Sequence, residues 1–439
     1  MSALRSALEE KVVARIRDRR DELVALVGEL VACDTTSRNY NEPARDEEKL
    51  QKILARRLAA LGAETDLWVP EPVRQGHRNL PPGMRFDGRP QLAAHLAGGG
   101  AGGRSLLLNG HIDAVDVEPR ADWTSDPLVA TARGGRLYGR GVNDMKGGIA
   151  CLVTALEALR EEGVRLGGDV VFCTVTDEEM GGAGGFAAVE HGVRADAGIC
   201  AEPSALNVEA ACRGGLPITV TALGRTGHAE LAHPDWREGG PVNAIEKLLP
   251  VLLEVQRMRE DWRTRPDHQH PLLPPGDIVP TVIAGGTWVV TIPHECTVTL
   301  DVTYLPGHLD AEGTGRAVER EIMGRLRAAV ADDPWFDEHP LRIEFIQDVV
   351  PAEVPADHEI VQLALGAAGD LGHDPRVTGL DTWHDAATFT RFGTPTVSFG
   401  PDCENSHAVD ESVSIDSLVD CAAAVALIAM RWCGVRGQT

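Results

Sequence analysis

Nowhere do the nine cysteines of this 439-residue chain fall in a Cys-x-x-Cys pair. That absence excludes the paired-thiol motifs of zinc knots and dithiol redox centres. The cysteines read instead as small buried hydrophobes, as Cys151, Cys173 and Cys200 do within apolar runs, and such usage suits a reducing cytosol. No apolar stretch is long enough to span a bilayer. Glu9, Glu10 and Lys11 leave no room for a leader-type apolar core near the N-terminus, so the expected location is cytoplasmic. Basic residues are scarce: 42 Lys and Arg face 66 Asp and Glu, a formal net charge of −24. That balance argues against nucleic acid and anionic membrane as partners and favours a well-solvated surface. Aromatics supply only 4% of the chain, and it carries no internal repeat.

Glycine, by contrast, is plentiful at 47 residues, as expected where tight turns join helices to both faces of a parallel sheet. The length is long for one domain and comfortable for two. Helical patterns at 21–31 and 47–61 alternate with strand patterns at 64–69 and around Leu92 and Leu106. From about Arg213 the order changes to strand, helix at 242–258, strands at 278–284 and 296–305, helix at 314–330 and strand at 341–346. That β-α-β-β-α-β order predicts a ferredoxin-like α+β unit over 213–349, inserted into an α/β domain made of 1–212 and 350–439. The larger domain is expected to hold a mixed, mostly parallel sheet covered by helices. The Pro-rich run 266–280 reads as a loop, with His268 and His270 solvated.

The chemistry gathers where apolar strands stop. Glu178 and Glu179 are adjacent in Val-Thr-Asp-Glu-Glu-Met-Gly-Gly, and a water-activating metal hydrolase needs one carboxylate on the ion and another free to take a proton. Upstream, Leu106-Leu107-Leu108-Asn109-Gly110-His111-Ile112-Asp113 is a buried-strand pattern ending on a histidine. Side chains i and i+2 share a side, so Asp113 is placed to orient the His111 ring. Asp144 sits in the glycine-rich turn Gly139-Arg140-Gly141-Val142-Asn143-Asp144, Glu202 follows the strand Ala197-Gly198-Ile199-Cys200-Ala201, and His407 follows Pro395-Thr396-Val397-Ser398-Phe399-Gly400. Each has an ordinary reading alone: Asp144 as a helix N-cap, Glu202 and the Glu pair as loop acids, His111 as a core histidine. Together, at strand ends, they offer the N and O donors of a zinc-type site.

In this order the motifs Gly-His-x-Asp, Gly-x-Gly-x-x-Asp-Met-Lys-Gly-Gly, Asp-Glu-Glu-x-Gly-Gly, Ala-Glu-Pro-Ser and Ser-His-x-x-Asp-Glu resemble the aminoacylase, acetylornithine deacetylase and succinyl-diaminopimelate desuccinylase family of zinc amidohydrolases. The similarity runs from the helix around Leu23 to the segment after His407. It implies two divalent ions, zinc with cobalt or manganese as alternatives, and a small-molecule amide as substrate. His111, Asp144 and Glu202 would hold one ion, and Asp144, Glu179 and His407 the other, with Asp144 bridging. Glu178 would be general base and acid, and Asp113 the partner of His111. The Asp144–Met145 peptide would be cis. Gly224-Arg225-Thr226-Gly227-His228-Ala229 resembles the family's lid segment, so the inserted unit would be a lid and dimerisation domain whose His228 reaches the oxyanion of a partner subunit. A structural histidine at a strand end is the other reading of His228.

Two departures bear on substrate. The family's Asp-x-Arg-x-Leu-Pro-Gly is here Asp301-Val302-Thr303-Tyr304-Leu305-Pro306-Gly307, so Thr303 stands where an arginine would clamp a carboxylate. A carboxylate, if present, would be held by Arg213 or Arg225. Trp383-His384-Asp385-Ala386 replaces a Thr-Asp-Ala run, which makes His384 and Asp385 candidates for substrate contact. The Gly-Gly-Thr-Trp and Ile-Pro-His-Glu-Cys context resembles an acetylornithine deacetylase-like branch, some of whose members remove formyl groups from pyrimidine amines. The expected activity is removal of an acetyl, formyl or succinyl group from a small N-acyl amine or N-acyl amino acid. A dipeptidase or carboxypeptidase, and a silent metal-binding homologue, are the alternatives.

Overall fold

The computed structural model describes residues 6–39, 41–71, 78–100 and 102–436. It divides into two compact units, Met1–Cys212 with Ala352–Leu380 and His384–Thr439, and Arg213–Pro351 with Asp381–Trp383. The second unit therefore takes in Val350, Pro351 and a short return segment as well as the expected 213–349.

In chain order the principal strands are β1 (Glu64–Trp68), β2 (Gln91–Leu96), β3 (Leu106–His111), β4 (Val170–Val175), β5 (Ala197–Cys200), β6 (Val208–Cys212), β7 (Ile218–Leu223), β8 (Asp277–Gly285), β9 (Glu295–Tyr304), β10 (Arg342–Phe345), β11 (Ala352–Glu353), β12 (Val377–Leu380) and β13 (Thr396–Ser398). The first unit holds a nine-stranded sheet in the order β11-β6-β13-β5-β3-β4-β2-β1, with β12 also on β6. Its centre, β13-β5-β3-β4, runs parallel. β2 and β1 add antiparallel on one side, and β6 meets β13 antiparallel on the other. The sheet is thus mixed, with all four parallel strands presenting their carboxyl ends at one edge.

Period-2 burial assigns the two faces. Leu106, Leu108, Val170 and Phe172 enter one core, whereas Leu107, Cys173 and Val175 enter another with Phe186 and Phe389. The first core is roofed by the helix Lys146–Glu161 and the C-terminal helix Ile415–Cys433, both buried along most of their length. The glycine pair that opens the former has a steric cause. A Cβ on Gly147 would lie 2.1 Å from the Val142 carbonyl oxygen, and one on Gly148 2.0 Å from that of Ala201, so any side chain would push the helix off the sheet. Eight of the cysteines are buried and none is in a disulfide; Cys403 alone is exposed.

The second unit has the β-α-β-β-α-β order with helices Ala244–Trp262 and Arg316–Ala329. Its sheet runs β8-β9-β7-β10, antiparallel throughout. Ile218, Val220, Val298, Leu300 and Val302 face the helices as the alternation requires. β8 is an edge strand and is mostly exposed. One expectation fails here: His268 is 1% exposed, not solvated. Trp262 at the end of the first helix offers it a ring to stack on at 4.6 Å, and Arg265, neutralised by Glu321 at 2.7 Å, donates to its Nε2. Pro280, placed in a loop from the sequence, lies inside β8.

Candidate metal centre

The carboxyl edge of the parallel strands delivers the site. β3 ends on His111, β4 stops just before Asp177-Glu178-Glu179, β5 stops before Glu202, and the chain beyond β13 leads to His407. Asp144 comes from the turn ahead of the Lys146–Glu161 helix, and its peptide bond to Met145 is cis. Asp177 and His407 adopt left-handed φ values of 66° and 60°, a conformation that persists where neighbours fix it.

His111 is 1% exposed. Its Nδ1–H meets the carbonyl oxygen of Asp113 at 3.0 Å, while the Asp113 carboxylate is 3.6 Å away. The main chain of Asp113, then, rather than its side chain, fixes the tautomer. The carboxylate instead accepts the N–H of Glu178 at 3.3 Å and of Glu179 at 3.1 Å, which pins the Glu-Glu turn. With Nδ1 occupied, Nε2 of His111 faces Asp144 Oδ1 at 3.1 Å, Glu202 Oε1 at 3.6 Å and Glu178 Oε2 at 4.0 Å. The other oxygen of Asp144 faces Nε2 of His407 at 3.1 Å, and Glu179 Oε2 lies 3.0 Å from the same nitrogen.

Two triads result, His111–Asp144–Glu202 and Asp144–Glu179–His407, each with ligand atoms within 4.8 Å of one another. Whether they fit cations is tested by what the protein leaves unpaired. Among the described residues, Glu179 Oε1 and Glu202 Oε1 are buried without a hydrogen-bond partner, which costs about 1–3 kcal/mol each unless something pairs them. Burial, opposed by His111 and reinforced by Glu202, Asp385 and Glu179, pushes the Glu178 carboxyl well above the usual range. Burial likewise raises Glu202, against His111 and with Asp144 and Glu179, and it raises Glu179 with Asp144. His407 is pushed up to about 10 by its bonds to Asp144 and Glu179. His111 is raised despite its burial, because Glu202, Asp144 and Glu178 outweigh it. A pocket that crowds carboxylates together and raises the pKa of its imidazoles favours positive charge, and its N and O donors suit a divalent ion.

A second cluster, Asp267, His268 and His308, also brings ligand atoms together. Arg265 donates to His268 Nε2, and the Leu305 N–H to His308 Nδ1. Burial lowers the pKa of both rings, so each is neutral with one lone pair, already engaged. Neither ring has a lone pair left for a cation.

Of the other sequence candidates, Asp385 lies close enough to act electrostatically on Glu178 and Glu202. His384 is 3% exposed and precedes the helix Asp385–Arg391, with Nδ1 3.2 Å from Ser398 Oγ. Asp385 is fully buried, both carboxylate oxygens lack a hydrogen-bond partner among the described residues, and burial pushes it up to about 7. Both are interior residues of the first unit. Arg213 donates to the carbonyls of Asp381 and Pro275 within the second unit. Its Nε and Nη1 are thereby engaged. His228 is exposed on a short strand paired with Thr291–Ile292. A partnership missed in the sequence is that of Arg140 and Glu411, buried and 2.6 Å apart. Glu411 Oε1 also takes the N–H of Asn143 at 3.0 Å and of Asp144 at 3.4 Å, so it steadies the turn under Asp144. Removing either member would cost about 3–5 kcal/mol by leaving the other charge buried and unpaired.

Residues 107–431 match the model of Peptidase family M20/M25/M40. The N-formyl-4-amino-5-aminomethyl-2-methylpyrimidine deformylase of Halalkalibacterium halodurans is 30% identical over 97% of this chain and 98% of its own. The acetylornithine deacetylase of Myxococcus xanthus is 30% identical over 95% of this chain and all of its own. Among solved structures, a dinuclear metal-binding M20 peptidase from Bacillus subtilis superposes with a TM-score of 0.66 at 14% identity, covering 95% of this chain and 99% of that one. The chain therefore belongs to Peptidase family M20/M25/M40, and it is a metal-dependent hydrolase of amide bonds.

Proposed function

We propose that this chain is a zinc-dependent deformylase acting on a small N-formyl amine that carries no carboxylate. The observation that carries the hydrolytic reading is Asp144, whose two oxygens each face a different histidine at 3.1 Å, with Glu178 buried beside them and committed to neither. His111, Asp144 and Glu202 would hold one ion, and Asp144, Glu179 and His407 the second. The imidazole and carboxylate donor set supports zinc. Such a pair, when bound, supplies polarisation of the scissile carbonyl and a lowered pKa for water. Glu178 takes the proton from the attacking water and returns it to the leaving amine, giving formate and the free amine. Its buried, acid-crowded setting keeps its proton affinity high enough for the return step.

The preference for an uncharged formyl amine rests on the likeness to the named deformylase and on the cations near Thr303. Thr303 Oγ accepts the N–H of Asp277 at 3.0 Å. Arg259 is paired twice with the carboxylate of Asp277, at 2.8 and 3.0 Å, and Arg213 is tied to main-chain carbonyls. The Asp277 carboxylate thus neutralises Arg259, and main-chain carbonyls already occupy two nitrogens of Arg213. Amine release from N-formyl, N-acetyl and N-succinyl compounds, with and without chelator, tests the reading. Turnover highest on a carboxylate-free formyl amine and abolished by chelator is expected; preference for an N-acyl amino acid would refute it.

The second unit is proposed as a lid and dimerisation domain in a cytoplasmic homodimer. Edge strand β8 exposes Val282 and Ile283, and the neighbouring helix exposes Ile245, Leu249 and Leu253 at helical spacing. An unpaired, apolar edge of this kind suits a second copy. His228 of the partner subunit would donate to the oxyanion. His228→Ala should then lower turnover about 10²- to 10³-fold. Mixing it with Glu178→Gln chains should restore activity, since the mixed dimer contains one complete site. Mixtures as inactive as their components would remove His228 from a role across the interface.

A further inference from the structure

The turn carrying Asp144 and the loop carrying His407 are fastened by two side chains, Glu411 at the neck of the loop and Asn143 from the turn. Asn143 is fully buried. Its amide donates to the carbonyl of Glu404 at 3.0 Å and of Ser412 at 3.1 Å, and its Oδ1 accepts from Ser406 Oγ at 3.0 Å. Glu404 and Ser412 form the neck of the loop, exchanging main-chain hydrogen bonds at 3.0 Å in both directions. Ser406 lies inside the loop, directly before His407. Both N–H donors of this one amide, and its oxygen, are therefore directed at the loop.

His407 needs that support. Its imidazole is half exposed, its backbone is left-handed, and among the described residues its ring bonds only to Asp144 and Glu179. His111 is differently held, by its place in β3 and by the Asp113 carbonyl. The two triads share Asp144, but the histidine of each rests on a separate support. We propose that Asn143 is a positioning residue for the His407-side cation alone. The inference rests on the two-cation reading above. Truncating the side chain leaves the main-chain N–H of residue 143 on Glu411 at the neck of the loop, so the turn under Asp144 keeps that anchor while Ser406, directly before His407, loses its own.

Zinc affinity, read by competition with a chromogenic chelator on the full chain, tests this without reference to turnover. In Asn143→Ala one of the two ions should bind about 10- to 100-fold more weakly and the other as in the parent. Adding Asn143→Ala to His407→Ala should leave the remaining ion's affinity unchanged, which a general loss of structure would not. Ser406→Ala removes one of the three amide bonds and should weaken the same ion by a smaller factor; if Asn143→Ala does not fold, this variant decides. Both ions held as in the parent, or both weakened equally, would overturn the proposal while leaving the two-cation reading intact. A parent chain that binds fewer than two ions would overturn both.

Discussion

The carboxylate of Asp113 accepts the main-chain N–H of Glu179 at 3.1 Å, while the carbonyl of the same residue holds the ring of His111. One residue thus sets the tautomer of a ligand on β3 and the position of two acids after β4. Asp113→Ala would leave the N–H groups of Glu178 and Glu179 without their acceptor, at about 1–3 kcal/mol each. It should lower the midpoint of thermal unfolding and weaken metal binding together. Asp113→Asn, which keeps one acceptor oxygen, should recover part of both. A variant that alters neither property would refute this role.

His384 gives a pH signature. Burial pushes it down to about 4, whereas in the unfolded chain a histidine titrates near ~6.5. Between those values the unfolded state binds more protons, so this residue makes the fold less stable as pH falls through that window. Asp385, pushed up to about 7, works in the opposite sense, so the comparison of parent with variant carries the test. Thermal unfolding of metal-free His384→Gln from pH 7 to pH 4 should lose less stability on acidification than the parent. Parallel curves would mean that His384 is protonated in the folded state.

The apolar edge of the second unit makes a further prediction. Leu249 and Ile283 are 51% and 59% exposed, so Leu249→Glu with Ile283→Glu should leave the fold intact while introducing charge where a second copy would dock. Sedimentation velocity should report a dimer for the parent and a monomer for the double variant. A double variant that still sediments as a dimer would exclude this face.

Much of the fold was legible because each central strand is an apolar run that ends abruptly in a polar residue. Leu106–Leu108 before His111, and Ala197–Cys200 before Glu202, mark both the sheet and its functional edge. The inserted unit was equally plain from the alternation along Ile218–Leu223 and Glu295–Tyr304. Less legible were contacts between residues far apart in the chain. Asn143 and Glu411 are separated by 268 positions, and nothing local to either one signals the other. His268 looked like a loop residue because its neighbours are prolines and polar groups. Its burial comes from Trp262 and His308, which only the folded unit brings to it. Asp113 does lie beside His111, but the i, i+2 rule speaks of side chains, and the bond that forms uses the carbonyl.

The central claim is that five side chains hold a pair of cations while Glu178 remains unligated beside them. Metal content and amide hydrolysis, measured on the same preparations of the parent and Glu178→Gln, test it most directly. The account predicts two zinc ions per chain in both proteins, with turnover lowered about 10²- to 10⁴-fold in the variant alone. A Glu178→Gln protein that loses metal, or one that keeps both ions and still hydrolyses at the parent's rate, would contradict it.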